Sequence, residues 1–136
     1  MFTHILVPTD GSKLSEKAVK RAMALANQLK ARVTALHVRP KSTYRVEMLE
    51  STRKTYAAAA AKHVDQFLQF AERAARVANV PCATLQVASD QPYEEIIRTA
   101  RRKECDLILM ASHGRRGIAG FLLGSETQKV LTHSGI

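Results

Sequence analysis

The stretch Ile5-Leu6-Val7-Pro8-Thr9-Asp10-Gly11-Ser12, together with the residues just beyond it, decides the fold. Its first half is a short apolar run, and Thr9-Asp10-Gly11-Ser12 is a turn cluster that ends a strand and can also cap a helix. Beyond the turn, Ala18, Ala22, Leu25 and Leu29, flanked by Val19 and Ala26, recur at helical spacing and give that helix one apolar stripe. Val33-Thr34-Ala35-Leu36-His37-Val38 then reads as a second strand. It closes at Arg39-Pro40, because proline limits the residue before it. Strand, helix and strand in this order make a β-α-β unit.

The alternation continues down the chain. Residues 46–77 carry no Pro or Gly, include the alanine run 57–61, and set Val64, Phe67, Leu68, Ala71 and Ala74 at helical intervals, which predicts a long helix. Ala83-Thr84-Leu85-Gln86-Val87 follows as a third strand after Pro81. A helix is expected to begin at Asp90, with Pro92 near its first turn and Tyr93, Ile96, Ile97 and Ala100 inward. Residues 106–110 read as a fourth strand. A last helix starts near Gly124-Ser125, runs through Val130 and Leu131, and stops at Ser134-Gly135. No linker divides the chain, so residues 1–136 are expected to form one α/β domain: a doubly wound parallel sheet, covered on both faces, with right-handed crossovers.

A length of 136 residues with 46% hydrophobic and 24% charged residues suits one such domain with a real core. The formal charge of +9 draws anionic partners in general. Its 21 Lys and Arg are scattered over the predicted helices, however, and the densest cluster, Arg101-Arg102-Lys103, falls at a predicted helix C-terminus, where cations complement the dipole. With 5% aromatic residues and no Trp there is little on which bases could stack, so nucleic acid is not the expected partner. No apolar run approaches the roughly 20 residues of a membrane span, and Met1-Phe2-Thr3-His4-Ile5 lacks the basic start and long apolar stretch of a signal peptide. A cytoplasmic location without membrane partners is expected. Cys82 and Cys105 show no CxxC spacing and each lies beside a predicted strand, so both read as buried, reduced thiols. His4 and His37 stand on strands with no second ligand at a useful spacing, which gives no metal site.

In parallel sheets of this kind ligands sit beyond the carboxyl ends of the strands, where the strand order reverses. The first strand presents Pro8, Thr9 and Asp10 there, the second Val38, and the fourth Met110 and Ala111. After the fourth strand come Ala111-Ser112-His113-Gly114, nine residues at 115–123, and Gly124-Ser125. A glycine-bearing loop reaching a helix start is a phosphate-binding arrangement, because glycine lets backbone N–H groups approach an anion and the helix N-terminus favours negative charge. If the first and fourth strands are neighbours, all these residues line one crevice.

Together, the opening stretch, the strand Ala35-Leu36-His37-Val38, the segment Asp106-Leu107-Ile108-Leu109-Met110-Ala111-Ser112-His113-Gly114 and the pair Gly124-Ser125 resemble the universal stress protein family over nearly the whole chain. The resemblance implies a doubly wound domain of the adenine-nucleotide alpha-hydrolase-like type, usually a homodimer, and a nucleotide-dependent role in stress regulation. Its ATP-binding branch carries Gly-x2-Gly-x9-Gly-Ser/Thr, which Gly114, Gly124 and Ser125 match here, whereas Ala111 stands in place of the first glycine. By this likeness Asp10 takes the ribose hydroxyls of ATP, Pro8, Val38 and Met110 wall the adenine pocket, and Gly114, Gly124 and Ser125 receive the phosphates, with His113 at their border. Two further cations, Arg115 and Arg116, stand in the loop, and Glu126 could reach a Mg²⁺ accompanying the nucleotide.

Plainer readings stand beside these. Asp10 or Ser125 could serve only as a helix cap, Val38 and Met110 as core, Arg115 and Arg116 as solvated charges, and His113 as a loop hydrogen-bonder. Glu126 could simply complement the dipole of the last helix. No GxxxxGK[ST] motif and no paired carboxylates mark a catalytic centre, so at most slow ATP hydrolysis is expected. An alternative function is a dimeric interaction module that binds no nucleotide. The resemblance also implies a fifth strand after the last helix. The sequence stops at Ser134-Gly135-Ile136, where that strand would begin.

Overall fold

The computed structural model of the chain describes residues 1–41, 50–113 and 123–136. Strands and helices alternate throughout, as β1 (His4–Pro8), α1 (Lys13–Leu29), β2 (Arg32–Arg39), α2 (Glu50–Ala78), β3 (Cys82–Ala88), α3 (Pro92–Arg102), β4 (Leu107–Ile108) and α4 (Ser125–His133). The expected start of the long helix at 46–49 lies outside the described residues. The four strands form one parallel sheet in the order β3-β2-β1-β4. β1 pairs with β2, Ile5 beside Val33, and with β4, Ile5 beside Leu107. The chain therefore steps from β1 outward to β2 and β3 and returns to β4 on the other side of β1. That reversal opens a crevice at the carboxyl ends of β1 and β4.

Strand side chains alternate between the two faces, so one strand feeds two cores. Ile5, Val7, Val33 and Ala35 pack with Ala18, Val19, Ala22, Met23 and Ala26 of α1 and Ala71 and Ala75 of α2. Leu6 and Leu36 point the other way, onto Ile96 and Ala100 of α3 and Val130 of α4. The expected inward stripes are met in part: Leu25, Leu29, Phe67, Leu68, Ala74 and Tyr93 are only partly buried, and Leu131 is 67% exposed.

Two boundaries differ from the expectation, and one alternative reading is set aside. β4 is paired only at Leu107–Ile108 instead of over 106–110. The segment still runs beside β1, with the Leu109 N–H donating to the Leu6 carbonyl at 2.9 Å. Asp90 does not begin α3: the helix starts at Pro92 behind Gln91, and the Asp90 carboxylate accepts from the Lys41 N–H at 2.9 Å. Asp10 is not the cap of α1 either. Ser12 is, its hydroxyl accepting from the Ser15 N–H at 3.1 Å.

At the opposite end of the sheet from the crevice, the Asp106 carboxylate takes the N–H groups of Thr3 and His4, at 2.9 Å each for the closer oxygen. These bonds hold its pKa below the usual carboxylate value. A group whose folded pKa is depressed contributes stability that is full above its unfolded pKa, about 3.9, and is lost as pH falls through the folded value. Asp106→Asn is therefore expected to lower unfolding stability at pH 7, with the difference from wild type disappearing in strong acid. Denaturant melts at both pH values check this, and an equal gap at both would remove the ionised carboxylate from the account.

Cys105 is buried, and burial pushes its thiol up to about 11, which leaves it unreactive. Cys82 is also free but only half-buried, a departure from the expectation, because β3 is an edge strand. Among the described residues no helix is long and apolar enough to cross a membrane.

Candidate functional site

A cleft of about 900 Å³ opens at the carboxyl ends of the strands. Ten of the residues singled out from sequence line it: Pro8, Thr9, Asp10, Val38, Met110, Ala111, His113, Gly124, Ser125 and Glu126. Gly114, Arg115 and Arg116 lie outside the described residues.

The β1 end of the cleft is held by a set of hydrogen bonds. Thr9 is buried: its N–H donates to the Leu36 carbonyl at 2.8 Å, its hydroxyl meets that of Ser15 at 3.1 Å, and its carbonyl faces His37 Nδ1 at 2.8 Å. Thr9 is thus a fastening between β1, β2 and α1. Asp10 follows it, with one carboxylate oxygen accepting from the Ser12 N–H at 2.9 Å in an Asx turn. This fixes the orientation of the carboxylate at the mouth of the cleft.

Gly11 makes that turn possible. Its φ is +77°, a conformation that costs a side-chain-bearing residue, and an added Cβ would overlap the ring of Phe67 from α2. The ring in turn packs edge-on against His37, with centroids 5.5 Å apart.

On the other side, α4 is stitched to the end of β4. The Gly124 N–H donates to the Ser112 carbonyl at 2.7 Å, and the buried Thr127 hydroxyl donates to the Ala111 carbonyl at 2.9 Å. Gly124 itself is the N-cap, so Ser125 is the first helical residue and not the cap. Gly124 offers no side-chain cap to the first-turn N–H groups, which favour an anion. Here the glycine answers a packing need: a Cβ on it would lie 3.0 Å from His113 Cα and 3.2 Å from the Ser112 carbonyl oxygen. His113 Nδ1 lies 2.9 Å from the Ser112 hydroxyl. Ala111 is not at positive φ, a state confined among the described residues to Gly11, Lys30, Asn79 and Glu104, so its methyl imposes no backbone strain.

Glu126 does more than complement its own helix. One carboxylate oxygen accepts from the Tyr93 N–H at 2.9 Å, in the first turn of α3, and the other lies 3.7 Å from Lys129 Nζ. It bridges two helix starts. No cluster of three or more metal-binding side chains occurs among the described residues.

Sequence reasoning does not assign His37, His63, Phe67 or Thr127 to this cleft, although all line it. The helical spacing of Phe67 reads as core, and spacing cannot tell a core-facing residue near a helix end from one at a cleft wall. For His37 the absence of a second histidine at a metal spacing argues only against a metal and is silent on other ligands.

An α/β domain with a parallel sheet in the order β3-β2-β1-β4 and a cleft at its switch point belongs to the class of doubly wound proteins. The universal stress protein family model matches residues 1–136, and the chain belongs to that family. It is 30% identical over 137 residues to universal stress protein YxiE of Bacillus subtilis, covering 96% of this chain and 92% of the relative. The structure of universal stress protein UspA from Lactobacillus plantarum superposes with a TM-score of 0.80 at 28% identity, over 98% of this chain and 93% of that one. A more distant fold match, 24% identical with a TM-score of 0.67 over 98% of this chain and 91% of that one, is a universal stress protein in complex with cAMP.

Proposed function

We propose that the cleft binds an adenine nucleotide, ATP foremost, and that the protein acts as a nucleotide-dependent regulator of the stress response. The observation that carries this reading is the convergence on one cleft of the oriented Asp10 carboxylate, the apolar walls Pro8, Val38 and Met110, and the α4 start at Gly124-Ser125. A carboxylate suits ribose hydroxyls, apolar walls suit a base, and an uncapped helix start suits phosphate. Mg²⁺ enters with the phosphates. Any hydrolysis is slow, since the acidic groups that line the cleft among the described residues, Asp10 and Glu126, each already hold a backbone N–H.

A homodimer belongs to the same proposal. The outer edge of β4 has no partner among the described residues and Leu131 is exposed, so both offer surface to a second copy.

Calorimetric titration with Mg-ATP tests the reading, and Asp10→Ala tests the site. The variant is expected to bind ATP about tenfold to a hundredfold more weakly, the range for a hydrogen bond to a charged acceptor, while 2′,3′-dideoxy-ATP is little affected. Equal losses for the two ligands would take ribose recognition away from Asp10.

A further inference from the structure

We propose that His37 is a ligand-recognition residue of the cleft, accepting through Nε2 a hydrogen bond from a neutral N–H or O–H group of the bound molecule. The inference rests on the nucleotide reading above and deepens it. His37 stands on β2, one residue before Val38, and is 9% exposed. Its Nδ1 lies 2.8 Å from the Thr9 carbonyl, and a carbonyl can only accept. Nδ1 therefore carries the proton, and in the neutral ring Nε2 is left as an acceptor with its lone pair on the opposite edge.

That acceptor has no hydrogen-bond partner among the described residues. The sealed, unpartnered polar side-chain atoms found there are His4 Nδ1 and Thr99 Oγ1, and His37 lines the cleft. Phe67 holds the ring edge-on with centroids 5.5 Å apart, and Gly11 leaves Phe67 the room to do so. The result is a fixed, almost buried acceptor whose cost of desolvation is recovered only when a donor enters. An adenine nucleotide carries two donors of this kind, the exocyclic amino group and the ribose hydroxyls.

The test uses His37→Asn. Its amide N–H₂ takes over the donation to the Thr9 carbonyl, and nothing replaces the Nε2 acceptor. Mg-ATP, purine riboside triphosphate, which lacks the amino group, and 2′,3′-dideoxy-ATP are titrated into the wild-type protein and the variant. The expected result is about a tenfold loss of ATP affinity in the variant, with no loss for the one analogue that lacks the partner donor. Purine riboside triphosphate as that analogue assigns the base, and dideoxy-ATP assigns the ribose. Equal losses for all three ligands, or none, overturn the proposal and leave His37 a fastening of Thr9. Failure of the wild-type protein to bind any of them overturns the nucleotide reading, and this assignment with it.

A second measurement needs no variant. At about pH 8.5, above the ordinary imidazole value, the ¹⁵N resonance of His37 Nε2 in the wild-type protein is expected to move upfield on ATP addition as the lone pair engages. An unmoved resonance at saturating ATP also overturns the proposal.

Discussion

Gly124→Val is expected to weaken Mg-ATP binding by more than about 100-fold and to lower stability by about 1–3 kcal/mol, the usual cost of forcing extra carbon into a packed site. The Cβ alone would stand 3.0 Å from His113 Cα and 3.2 Å from the Ser112 carbonyl oxygen. Both are backbone neighbours that no rotamer change can move aside. Relief must come from withdrawing α4 from the end of β4, against the bonds from Gly124 N–H to Ser112 and from Thr127 to Ala111. Withdrawal carries the first-turn N–H groups away from where phosphate would sit, which is why the binding loss exceeds the stability loss. Calorimetry and thermal melting of the same variant read the two quantities separately. Unchanged affinity in a folded Gly124→Val protein would detach the α4 start from the binding site. Gly124→Ala, which adds only the Cβ, should fall between wild type and Val.

Gly11→Ala is expected to cost about 2–5 kcal/mol, from two separable sources. A left-handed backbone costs a side-chain-bearing residue about 1–2 kcal/mol, and overpacking adds about 1–3 kcal/mol. Both conditions meet at Gly11, with its φ of +77° and the Phe67 ring lying where a Cβ would go. Removing the ring separates them: in a Phe67→Ala background, Gly11→Ala should cost only the backbone part. Denaturant unfolding of the four proteins in this double-mutant cycle gives the coupling directly. An identical cost in both backgrounds would show that Phe67 is not what Gly11 accommodates. The same substitution bears on the cleft, since displacing Phe67 frees the His37 ring that it packs against.

The cleft is also coupled to the helix layer behind it through Glu126. Its carboxylate joins the start of α4 to the first turn of α3. Sequence alone offers Glu126 either to a Mg²⁺ or to its own helix dipole, because nothing within a few residues of Glu126 reveals that Tyr93, 33 positions earlier, lies beside it.

This difference in range separates what can be read from the chain alone from what requires the folded protein. The periodicity of apolar residues, the turn cluster at 9–12 and the glycine at 124 are local signals. They set the order of strands and helices, the α/β class and the residues that end each strand, because backbone propensity and side-chain period act over one or two turns. They also place Asp10, Val38, Met110 and Gly124-Ser125 at strand ends and a helix start. Whether those ends meet depends on β1 lying between β2 and β4, and strand order follows from covering both faces of the sheet, a property of the whole chain. The tertiary structure alone decides that Ser12 and not Asp10 caps α1, that Phe67 covers Gly11, and that His37 spends one ring nitrogen on Thr9 while lining the cleft. Each of these depends on a contact between residues distant in sequence or on which N–H each of two neighbouring side chains takes, and neither is encoded in a period or a motif.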